Sequence, residues 1–426
     1  MKVMLVVLGT AGDVFPLIGI GRALQIRGHD VQLASTADYA ATVQRSGLPF
    51  YKLQDVPGIR NVPDLYHPTR SMHVLAKRLL IPAIEPVYKL LAHLDPSEWA
   101  VLATPPCYGA RIAQERLGIR LTTCAISPFA LRSVNLMPIT PGISCPPWAP
   151  IIFRRAFFAF VSKLWDRVLG PSINEYRMTL GLGGVKNIWY DWCLSPDRVL
   201  GLFPEWFVPR PPDWPSQFVY GGFTVFDQGV SGEVPAELGQ PGDPMVIFAA
   251  GSAGEAAAAF FRDAVSVSAG QPWRAVILTG EGSNWTRRAL PPNVYCYNYV
   301  PLSQLLPRSA VIVHHGGFGT ISIALGAAVP QIVIPFGHDQ FDNAVRIEQL
   351  GVGRQMLKAK DAAALLRSAI VNMLQESTVH ARCREVAPKA DINESLRRVC
   401  EQIESDYAAQ PLLRHNKHLT VTANGL

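Results

Sequence analysis

The stretch Val311-Ile-Val-His-His-Gly-Gly-Phe-Gly-Thr320 places a short apolar run, a glycine-rich turn and the start of a helical pattern in direct succession. Three glycines among the four residues 316–319 let the backbone approach a ligand closely. The helix that follows directs its free N–H groups back at the turn, which is an arrangement that holds an anion such as a phosphate without a metal. A plain tight turn is the alternative, because glycine patterns alone are weak motifs. His314 and His315 favour the anion site, since either imidazole could reach the same ligand.

The composition indicates a globular chain with more than one domain. At 426 residues, with 49% hydrophobic and 17% charged residues, the chain is too long for one ordinary core and too apolar to be disordered. The formal charge of +6 is not gathered into a basic block, so nucleic acid is not expected as a partner. This charge is compatible with anionic substrates or with loose contact with an anionic membrane surface.

The cysteines and the apolar runs indicate the cellular compartment of the protein. The seven cysteines are scattered and lack CxxC spacing, which favours reduced thiols in a cytoplasmic protein. Residues 2–8 are apolar but short and run into Gly9, as a buried strand would. No run reaches the roughly 18 apolar residues that span a bilayer. We expect a cytoplasmic protein, with peripheral contact at the inner face of the membrane as the alternative.

Strand and helix patterns alternate in both halves of the chain. Strands are predicted at 2–8, 31–34, 48–53, 99–103, 120–124, 245–249, 274–279, 293–297, 310–313 and 331–334. Helices are predicted near 17–27, 71–94, 108–117, 254–268, 318–328, 339–350 and 360–375, with a loop over 9–16. This rhythm predicts an α/β fold of two Rossmann-like, doubly wound domains that face a cleft. The predicted parts are an N-terminal domain 1–226, a linker 227–244, a C-terminal domain 245–408 and a disordered tail 409–426.

Two stretches interrupt the rhythm of the N-terminal half. Residues 127–150 are irregular and rich in proline, which is typical of a functional or mobile segment. Residues 151–165 are aromatic and basic and have a helical pattern. A core-facing helix is the first interpretation, and an apolar acceptor pocket or a membrane-surface face is the alternative.

Polar and glycine-rich clusters follow several predicted strands. They are Gly9–Asp13, Ala249–Gly254, His314–Thr320 and Pro335–Asn343. Ligands of doubly wound sheets bind at such strand ends, so the clusters suggest a nucleotide-linked ligand with a hydroxyl-rich group. A nicotinamide dehydrogenase fits poorly, because Gly9-Thr-Ala-Gly12 is not GxGxxG and no acidic residue closes the strand at 31–34. A P-loop is excluded, since the chain has no GxxxxGK[ST], and no grouping has metal-ligand spacing.

Three segments of the second half are the most distinctive, namely Tyr299-Val-Pro-Leu-Ser-Gln-Leu-Leu-Pro307, His314–Thr320 and His338-Asp-Gln-Phe-Asp-Asn-Ala344. They resemble the GT-B glycosyltransferases of the family that contains the UDP-glycosyltransferases and the antibiotic glycosyltransferases. Several segments, four of them in the first half, also resemble the B-type rhamnosyltransferases of bacterial rhamnolipid synthesis. They are Ala11–Pro16, Ile84–Tyr88, Leu202–Phe207, Asp213–Pro215 and His338–Ala344.

The resemblance implies a role for particular residues. Asp13 takes the position of the general base, and a helix cap is the alternative for it. The donor-binding positions are Ser252, His315, Gly317, Gly319 and Thr320 at the diphosphate, Tyr299 and Val300 at the nucleobase, and Asp339, Gln340 and Asn343 at the sugar. The role of His314 stays open between a strut and a buried core imidazole.

The reaction implied by the resemblance is inverting and independent of a metal, with a nucleotide sugar as co-substrate and no bound cofactor. The expected donor is dTDP-L-rhamnose, bound by the C-terminal domain. The expected acceptor is a hydroxy-fatty-acid lipid, a 3-hydroxyalkanoyloxyalkanoate, in an apolar cleft with Phe15, Phe129 and Phe158. A membrane protein is a further candidate partner. The alternatives are a UDP-glucose-dependent glucosyltransferase acting on an apolar alcohol, a nucleotide-sugar 2-epimerase and a non-catalytic sugar-nucleotide-binding helper.

Overall fold

The computed structural model describes residues 1–59, 62, 64–67, 70–139, 144–225, 227, 234–240, 242–251, 257–280, 285, 289–357 and 362–409. Within these ranges the chain forms two separate parallel sheets covered by helices. No helix in the described ranges combines the length and the apolar character that crossing a bilayer would require.

The first sheet has seven parallel strands in the order β3-β2-β1-β4-β5-β6-β7. Their bounds are β1 Lys2–Val6, β2 Asp30–Ser35, β3 Phe50–Lys52, β4 Trp99–Ala103, β5 Arg120–Ala125, β6 Arg198–Gly201 and β7 Phe218–Tyr220. Val3 of β1 lies opposite Val31 on one side and Ala100 on the other. The strand order therefore reverses between β1 and β4, which is where a doubly wound sheet opens its ligand crevice.

The second sheet repeats this arrangement with six parallel strands in the order β10-β9-β8-β11-β12-β13. Their bounds are β8 Met245–Ala249, β9 Arg274–Leu278, β10 Val294–Tyr297, β11 Val311–His314, β12 Gln331–Val333 and β13 Gly353–Gln355. β8 pairs with β9 and β11, so its carboxyl end lies at the second reversal point. The two sheets confirm the predicted pair of Rossmann-like domains.

Helices cover both sheets. They are α1 Ala11–Ile26, α2 Ala40–Arg45, α3 Ser71–Leu75, α4 Ile84–Ala92, α5 Tyr108–Leu117, α6 Ile151–Thr179, α7 Ala236–Gly239, α8 Ala258–Ser268, α9 Leu302–Leu305, α10 Phe318–Gly326, α11 Gln340–Gln349, α12 Ala362–Gln375, α13 Ser377–Val386 and α14 Ile392–Ala409. A π-helical turn, Ala76–Leu80, follows α3, so the helix predicted over 71–94 is divided.

The predicted loop over residues 9–16 is wrong for its larger part, because α1 begins at Ala11. Proline normally disfavours a helix interior, yet Pro16 lies within α1. In the fold, Val14, Leu17 and Ile18 are fully buried. This tertiary packing outweighs the local preference, and it places Asp13 on a helix instead of on a loop.

Other elements differ from the predicted pattern. α6 continues to Thr179, although the pattern indicated a helix only as far as Trp165. The strands β6, β7 and β13, of three or four residues each, were not predicted. Strands this short show little periodicity of their own, and the equally short β11 and β12 were found because they lie in apolar runs.

The last helix packs on the first sheet's side of the molecule. Val399, Cys400 and Ile403 of α14 belong to the same core cluster as Val3 and Leu5 of β1. Arg27 Nη2 pairs with Glu404 Oε2 at 2.6 Å, and Arg198 Nη2 with Asp406 Oδ1 at 2.6 Å. The predicted domain boundaries at 226, 244 and 408 assigned these α14 residues to the C-terminal domain and did not foresee their packing on the first sheet. Those boundaries stay a prediction. Residues 410–426 of the predicted tail lie outside the described residues.

Candidate active site

Asp13 is the third residue of α1 and follows the carboxyl end of β1. Its Oδ2 accepts hydrogen bonds from the backbone N–H of Thr10 at 2.7 Å and from Thr10 Oγ1 at 3.2 Å. Gly9 has φ +147°, and a Cβ there would lie 2.1 Å from Asp13 Oδ2, so only glycine leaves room for this carboxylate. The alternative prediction, in which Asp13 is the N-cap of the helix, is wrong, because Thr10 is the N-cap. Asp13 is the third helical residue, and its carboxylate accepts the Thr10 backbone N–H as in a capping box.

The Asp13 carboxyl is a stronger base than an ordinary aspartate. Burial raises its pKa from 3.8 to about 6, although the hydrogen bonds from Thr10 act in the opposite direction. The negative charge of Asp339, which comes from the second sheet's half, raises the pKa further. Asp13 and Asp339, from different halves, are therefore close enough in space for their charges to interact.

His315 follows β11 and lies in a narrow slot. A Cβ at Gly251 would lie 2.5 Å from His315 Cε1, and a Cβ at Gly317 would lie 2.6 Å from its Nε2. On another side the ring stacks with Phe336, with a centroid distance of 6.0 Å. Burial lowers the pKa of His315 to about 4, so the imidazole is neutral near pH 7 and can donate one N–H. Its Nδ1 is buried and has no hydrogen-bond partner among the described residues.

His314 is a structural residue of the turn. It is fully buried, and its Nδ1 accepts the backbone N–H of Gly316 at 3.1 Å. Its Nε2 must then carry the proton, which it donates to Gln331 Oε1 at 3.1 Å. Burial lowers the pKa of His314 to about 3, which keeps the ring neutral. Of the two predicted roles, the buried and hydrogen-bonded imidazole is the one in the structure.

The residues after His315 begin α10 at the predicted place. Gly317 is the N-cap, so the backbone N–H groups of Phe318, Gly319 and Thr320 stand in the first turn without intrahelical acceptors. Thr320 is half-buried. A Cβ at Gly319 would lie 3.0 Å from Val225 Cγ2. The absence of a side chain at Gly319 therefore lets α10 pack closely against the segment that leads from the first sheet to the second.

The sugar-site candidates are joined to the turn by hydrogen bonds. Asn343 is fully buried, and its Nδ2 donates to Asp339 Oδ2 at 3.0 Å and to the Gly316 carbonyl at 2.9 Å. Gln340 Oε1 accepts the backbone N–H groups of Phe336 at 2.8 Å and Gly337 at 3.1 Å, which leaves only its amide nitrogen for a ligand. Burial raises the pKa of Asp339, although the hydrogen bond from Asn343 works against this shift.

The nucleobase candidates differ in exposure. Val300 is 2% exposed and belongs to a core cluster, so only its backbone could meet a base. Tyr299 is half-buried, and its hydroxyl donates to Asp227 Oδ1 at 2.9 Å. Asp227 also accepts the backbone N–H of Ser303. The sequence prediction missed Asp227, because a lone aspartate between glycines and prolines carries no motif.

The three predicted acceptor residues lie in different surroundings. Phe15 packs against clusters of both halves of the molecule. Phe129 is half-buried just after β5, whereas Phe158 is 2% exposed in a small cluster with Met137 and Tyr190. Their role at an acceptor stays a prediction. The predicted phosphate contact Ser252 lies outside the described residues.

One contact between the halves was not predicted. The Tyr66 ring, from the loop before α3, lies 5.5 Å from the His338 ring and 6.5 Å from the Phe336 ring. His338 has φ +55°, an uncommon conformation for a side chain other than glycine. The sequence gives no signal for this pair, since it depends on how the halves meet.

Two family models match the chain. Residues 3–135 match the glycosyltransferase family 28 N-terminal domain, and residues 268–411 match the C-terminal domain of the erythromycin biosynthesis protein CIII-like family. The first of these segments holds Asp13, and the second holds His315 and Asp339.

Curated relatives align over most of the chain. A sterol 3-beta-glucosyltransferase of Arabidopsis thaliana is 26% identical over 91% of this chain, which spans 62% of that protein's length. An O-mycaminosyltylonolide 6-deoxyallosyltransferase of Streptomyces fradiae is also 26% identical, over 95% of this chain and 97% of its own length.

Solved structures share the fold. The glycosyltransferase of kitacinnamycin superposes with a TM-score of 0.72 at 22% identity, covering 95% of this chain and 98% of that one. The spinosyn rhamnosyltransferase complexed with thymidine diphosphate has a TM-score of 0.66 at 18% identity, with 95% and 100% coverage. Two Rossmann-like domains, the two family models and these likenesses together show that the chain belongs to the GT-B glycosyltransferases of the family 28 and CIII-like type.

Proposed function

We propose that the protein is an inverting, metal-independent sugar transferase with Asp13 as its general base. The best candidate reaction moves L-rhamnose from dTDP-L-rhamnose to the hydroxyl of a 3-hydroxyalkanoyloxyalkanoate, on the cytoplasmic side. The observation that carries the proposal is the placement of the Asp13 carboxylate, from one half, within electrostatic reach of Asp339, from the other. The candidate base and a candidate sugar-binding group, from different halves, are thus near each other.

Asp13 would accept the acceptor's proton as the new bond forms. A pKa of about 6 keeps the carboxyl ionised at neutral pH while making it a better proton acceptor than an exposed aspartate. The acceptor oxygen attacks the anomeric carbon from the face opposite the nucleotide. The bond from that carbon to the diphosphate oxygen breaks, and its electron pair leaves with the nucleoside diphosphate. The configuration of the anomeric carbon inverts in this single displacement.

The turn after β11 would stabilise the leaving group. The first-turn N–H groups of α10 and the neutral imidazole of His315 can donate to the phosphate oxygens on which charge develops. These donors are already positioned by the glycines that frame the His315 ring, so little reorganisation is needed during the reaction.

The sugar would lie between Asp13 and the start of α11. The Asp339 carboxylate can accept hydrogen bonds from sugar hydroxyls, and Asn343 fixes its orientation. The amide nitrogen of Gln340 can donate to a further oxygen. These groups can bind the hydroxyls of glucose as well as those of rhamnose. The proposal of rhamnose as the sugar is therefore supported by similarity to other proteins and not by these contacts.

The support for a thymidine nucleotide is the spinosyn rhamnosyltransferase, which has this fold and is complexed with thymidine diphosphate. The half-buried Tyr299 ring, held by Asp227, would lie against the base. The resemblance of four N-terminal segments to rhamnolipid rhamnosyltransferases supports rhamnose and the lipid acceptor.

A UDP-glucose-dependent transferase that acts on an apolar alcohol is the second candidate. Its support is the alignment of 91% of the chain with a sterol 3-beta-glucosyltransferase. Both candidates share the mechanism and differ in the donor and the acceptor. A nucleotide-sugar 2-epimerase would need no acceptor at all, and a non-catalytic helper would not need the Asp13 carboxylate.

A matrix of substrates tests these proposals. Purified protein is incubated with dTDP-L-rhamnose or UDP-glucose, each with a 3-hydroxyalkanoyloxyalkanoate or a sterol, and the products are identified by mass spectrometry. The first proposal requires a rhamnosylated lipid acid with inverted anomeric configuration. A sterol glucoside alone would establish the second candidate. If the protein transfers no sugar in any combination but binds the nucleotides, the helper function is favoured instead.

A further inference from the structure

An exposed apolar face lies at the start of α6, the helix between β5 and β6. Trp148, in the turn before the helix, is 83% exposed, and Ile152 and Phe153 are 69% and 62% exposed. Phe160, two turns further, is 49% exposed. We call these four side chains the α6 apolar face. Ile152, Ala156 and Phe160 follow at four-residue steps, so they form one row along the helix.

The length of α6 explains why this face is uncovered. The helix has 29 residues and is about 43 Å long, whereas the strands on either side have six and four residues. The main core begins to contact the helix at Val161 and continues through Trp165, Leu169 and Ile173. Among the preceding ten residues, the packed side chains are Phe157 and Phe158, which join only the small cluster with Met137. The start of α6 therefore extends beyond the main core.

Basic side chains border the apolar face. Arg155, Lys163 and Arg167 are exposed, and together with Ala159 they form the neighbouring four-residue row. Residues 116–165 contain six basic side chains and no acidic one. Arg154 is held by the Val134 carbonyl at 2.6 Å, but within the described part of the chain no carboxylate pairs with Arg155 or Lys163. These two cations are available to a partner.

We propose that the start of α6 docks on the surface of an anionic lipid bilayer. Aromatic and aliphatic side chains beside a basic row are the arrangement of a helix that lies in the plane of the membrane interface. Tryptophan favours that interface, and basic side chains near it are attracted to anionic headgroups. An apolar protein partner would explain the exposed aromatic residues but would not require a row of unpaired cations.

The path of the chain connects this face to the cleft. The chain leaves β5 at the carboxyl edge of the first sheet, the edge where Asp13 lies, and residues 126–150 lead from there into α6. A docked α6 would therefore hold the acceptor side of the protein at the membrane, where an apolar acceptor would be concentrated. The docking does not rest on the proposed reaction, although it would supply that reaction with its acceptor.

Vesicle binding tests the proposal directly. The full chain is sedimented with vesicles of phosphatidylcholine alone or with about 30% phosphatidylglycerol. We expect binding to the anionic vesicles and at least a tenfold weaker partition to the neutral ones. The triple variant Trp148→Ser, Phe153→Ser, Phe160→Ser should reduce binding at least tenfold. The double variant Arg155→Gln, Lys163→Gln should reduce it about tenfold or more and weaken its dependence on salt.

Matched controls separate docking on vesicles from loss of catalysis and from self-association. Leu365→Ser on α12 removes a side chain that is 51% exposed on the other half of the molecule, and it should leave vesicle binding unchanged. Transfer to a short, water-soluble acceptor without vesicles should be unaffected in all variants, so failure of the proposed reaction would not be confused with failure to dock. Binding that survives the triple variant would overturn the proposal. So would a dimer that dissociates when the α6 apolar face is changed and that binds no vesicles.

Discussion

The Asp13 carboxylate is held by two donors of Thr10 at the start of α1, so its position depends on the helix and not on a bound ligand. The same two hydrogen bonds favour ionisation, yet burial and the nearby Asp339 charge prevail and raise the pKa to about 6. A base with a pKa close to the working pH combines a large ionised fraction with an appreciable proton affinity, which is the compromise that general-base catalysis requires.

The pH dependence of catalysis should report this carboxyl. Only ionised Asp13 can accept a proton, so kcat/KM of the wild-type protein should fall about tenfold per pH unit below an apparent pKa of about 6. Asp13→Asn should lower kcat by about 10²- to 10⁴-fold, because a general base contributes about that much. Steady-state rates between pH 4.5 and 8.5 measure both effects. Near-wild-type turnover of Asp13→Asn would contradict the base assignment.

The same substitution should stabilise the fold at neutral pH. The pKa of Asp13 is raised on folding from 3.8 to about 6, so the folded state binds the proton more tightly and wild-type stability falls as pH rises through that window. A shift of about two units corresponds to up to about 3 kcal/mol. Asp13→Asn keeps an oxygen that can accept from Thr10 and lacks the buried charge. Urea unfolding should therefore show the variant as the more stable protein at pH 8, with the difference vanishing near pH 4. Equal destabilisation at both pH values would contradict this account.

At the scale of elements, the two adjacent histidines between β11 and α10 have different surroundings. His314 points into the core and fixes the Gly316 amide, whereas His315 stands between two glycines beside the cleft. The two rings are nearly perpendicular, with centroids 6.4 Å apart, so one imidazole can support the turn while the other meets a ligand.

Three glycine substitutions should separate backbone strain from displacement of His315. Gly317→Ala places a methyl 2.6 Å from the ring without a positive φ, and it should weaken binding of thymidine diphosphate at least tenfold. Gly251→Ala combines a similar clash with φ +59° and should weaken binding and also lower stability. Gly270→Ala has φ +68° and open space, so it should lower stability by about 1–2 kcal/mol with unchanged binding. Calorimetric titration and thermal unfolding measure the two effects. Wild-type affinity of Gly317→Ala would show that the ring does not contact the diphosphate.

At the scale of the whole molecule, the two halves are not independent. α14 follows the second sheet in the chain but fills part of the core beside β1 and α1. The segment from β7 to β8 approaches α1 closely, since a Cβ at Gly19 would lie 2.2 Å from the Thr224 carbonyl oxygen. The same segment meets α10 at Gly319. The helix that carries Asp13 and the helix that follows the His315 turn thus contact the same connecting segment.

Changes in α14 should therefore destabilise the N-terminal half. Ile403 is 4% exposed, and Ile403→Ala should lower the free energy of unfolding by about 2–4 kcal/mol. Hydrogen exchange should accelerate at the amides of β1, although that strand lies at the opposite end of the sequence. Ser405→Ala, at an exposed position of the same helix, should change neither measurement. Faster exchange confined to the second sheet would contradict the packing described for α14.

The sequence alone determined the features that depend on neighbouring residues. The alternation of short apolar strand patterns with helical patterns predicted two doubly wound sheets, and the glycines around His315 predicted the turn before α10. Asp13 was singled out from its place after the first strand, as the base position by resemblance and as an N-cap because an aspartate often precedes an apolar helical run. These features follow from local periodicity and from backbone conformations that few residues allow.

Only the tertiary structure decided what depends on distant contacts. The three-residue strands β7 and β13 form because a sheet edge pairs with them, and α1 continues through Pro16 because its apolar face is buried. The raised pKa of Asp13, the hydrogen bond from Tyr299 to Asp227 and the position of Tyr66 against His338 all join residues far apart in the chain. Burial and long-range electrostatics belong to the packed molecule, so no stretch of sequence contains them.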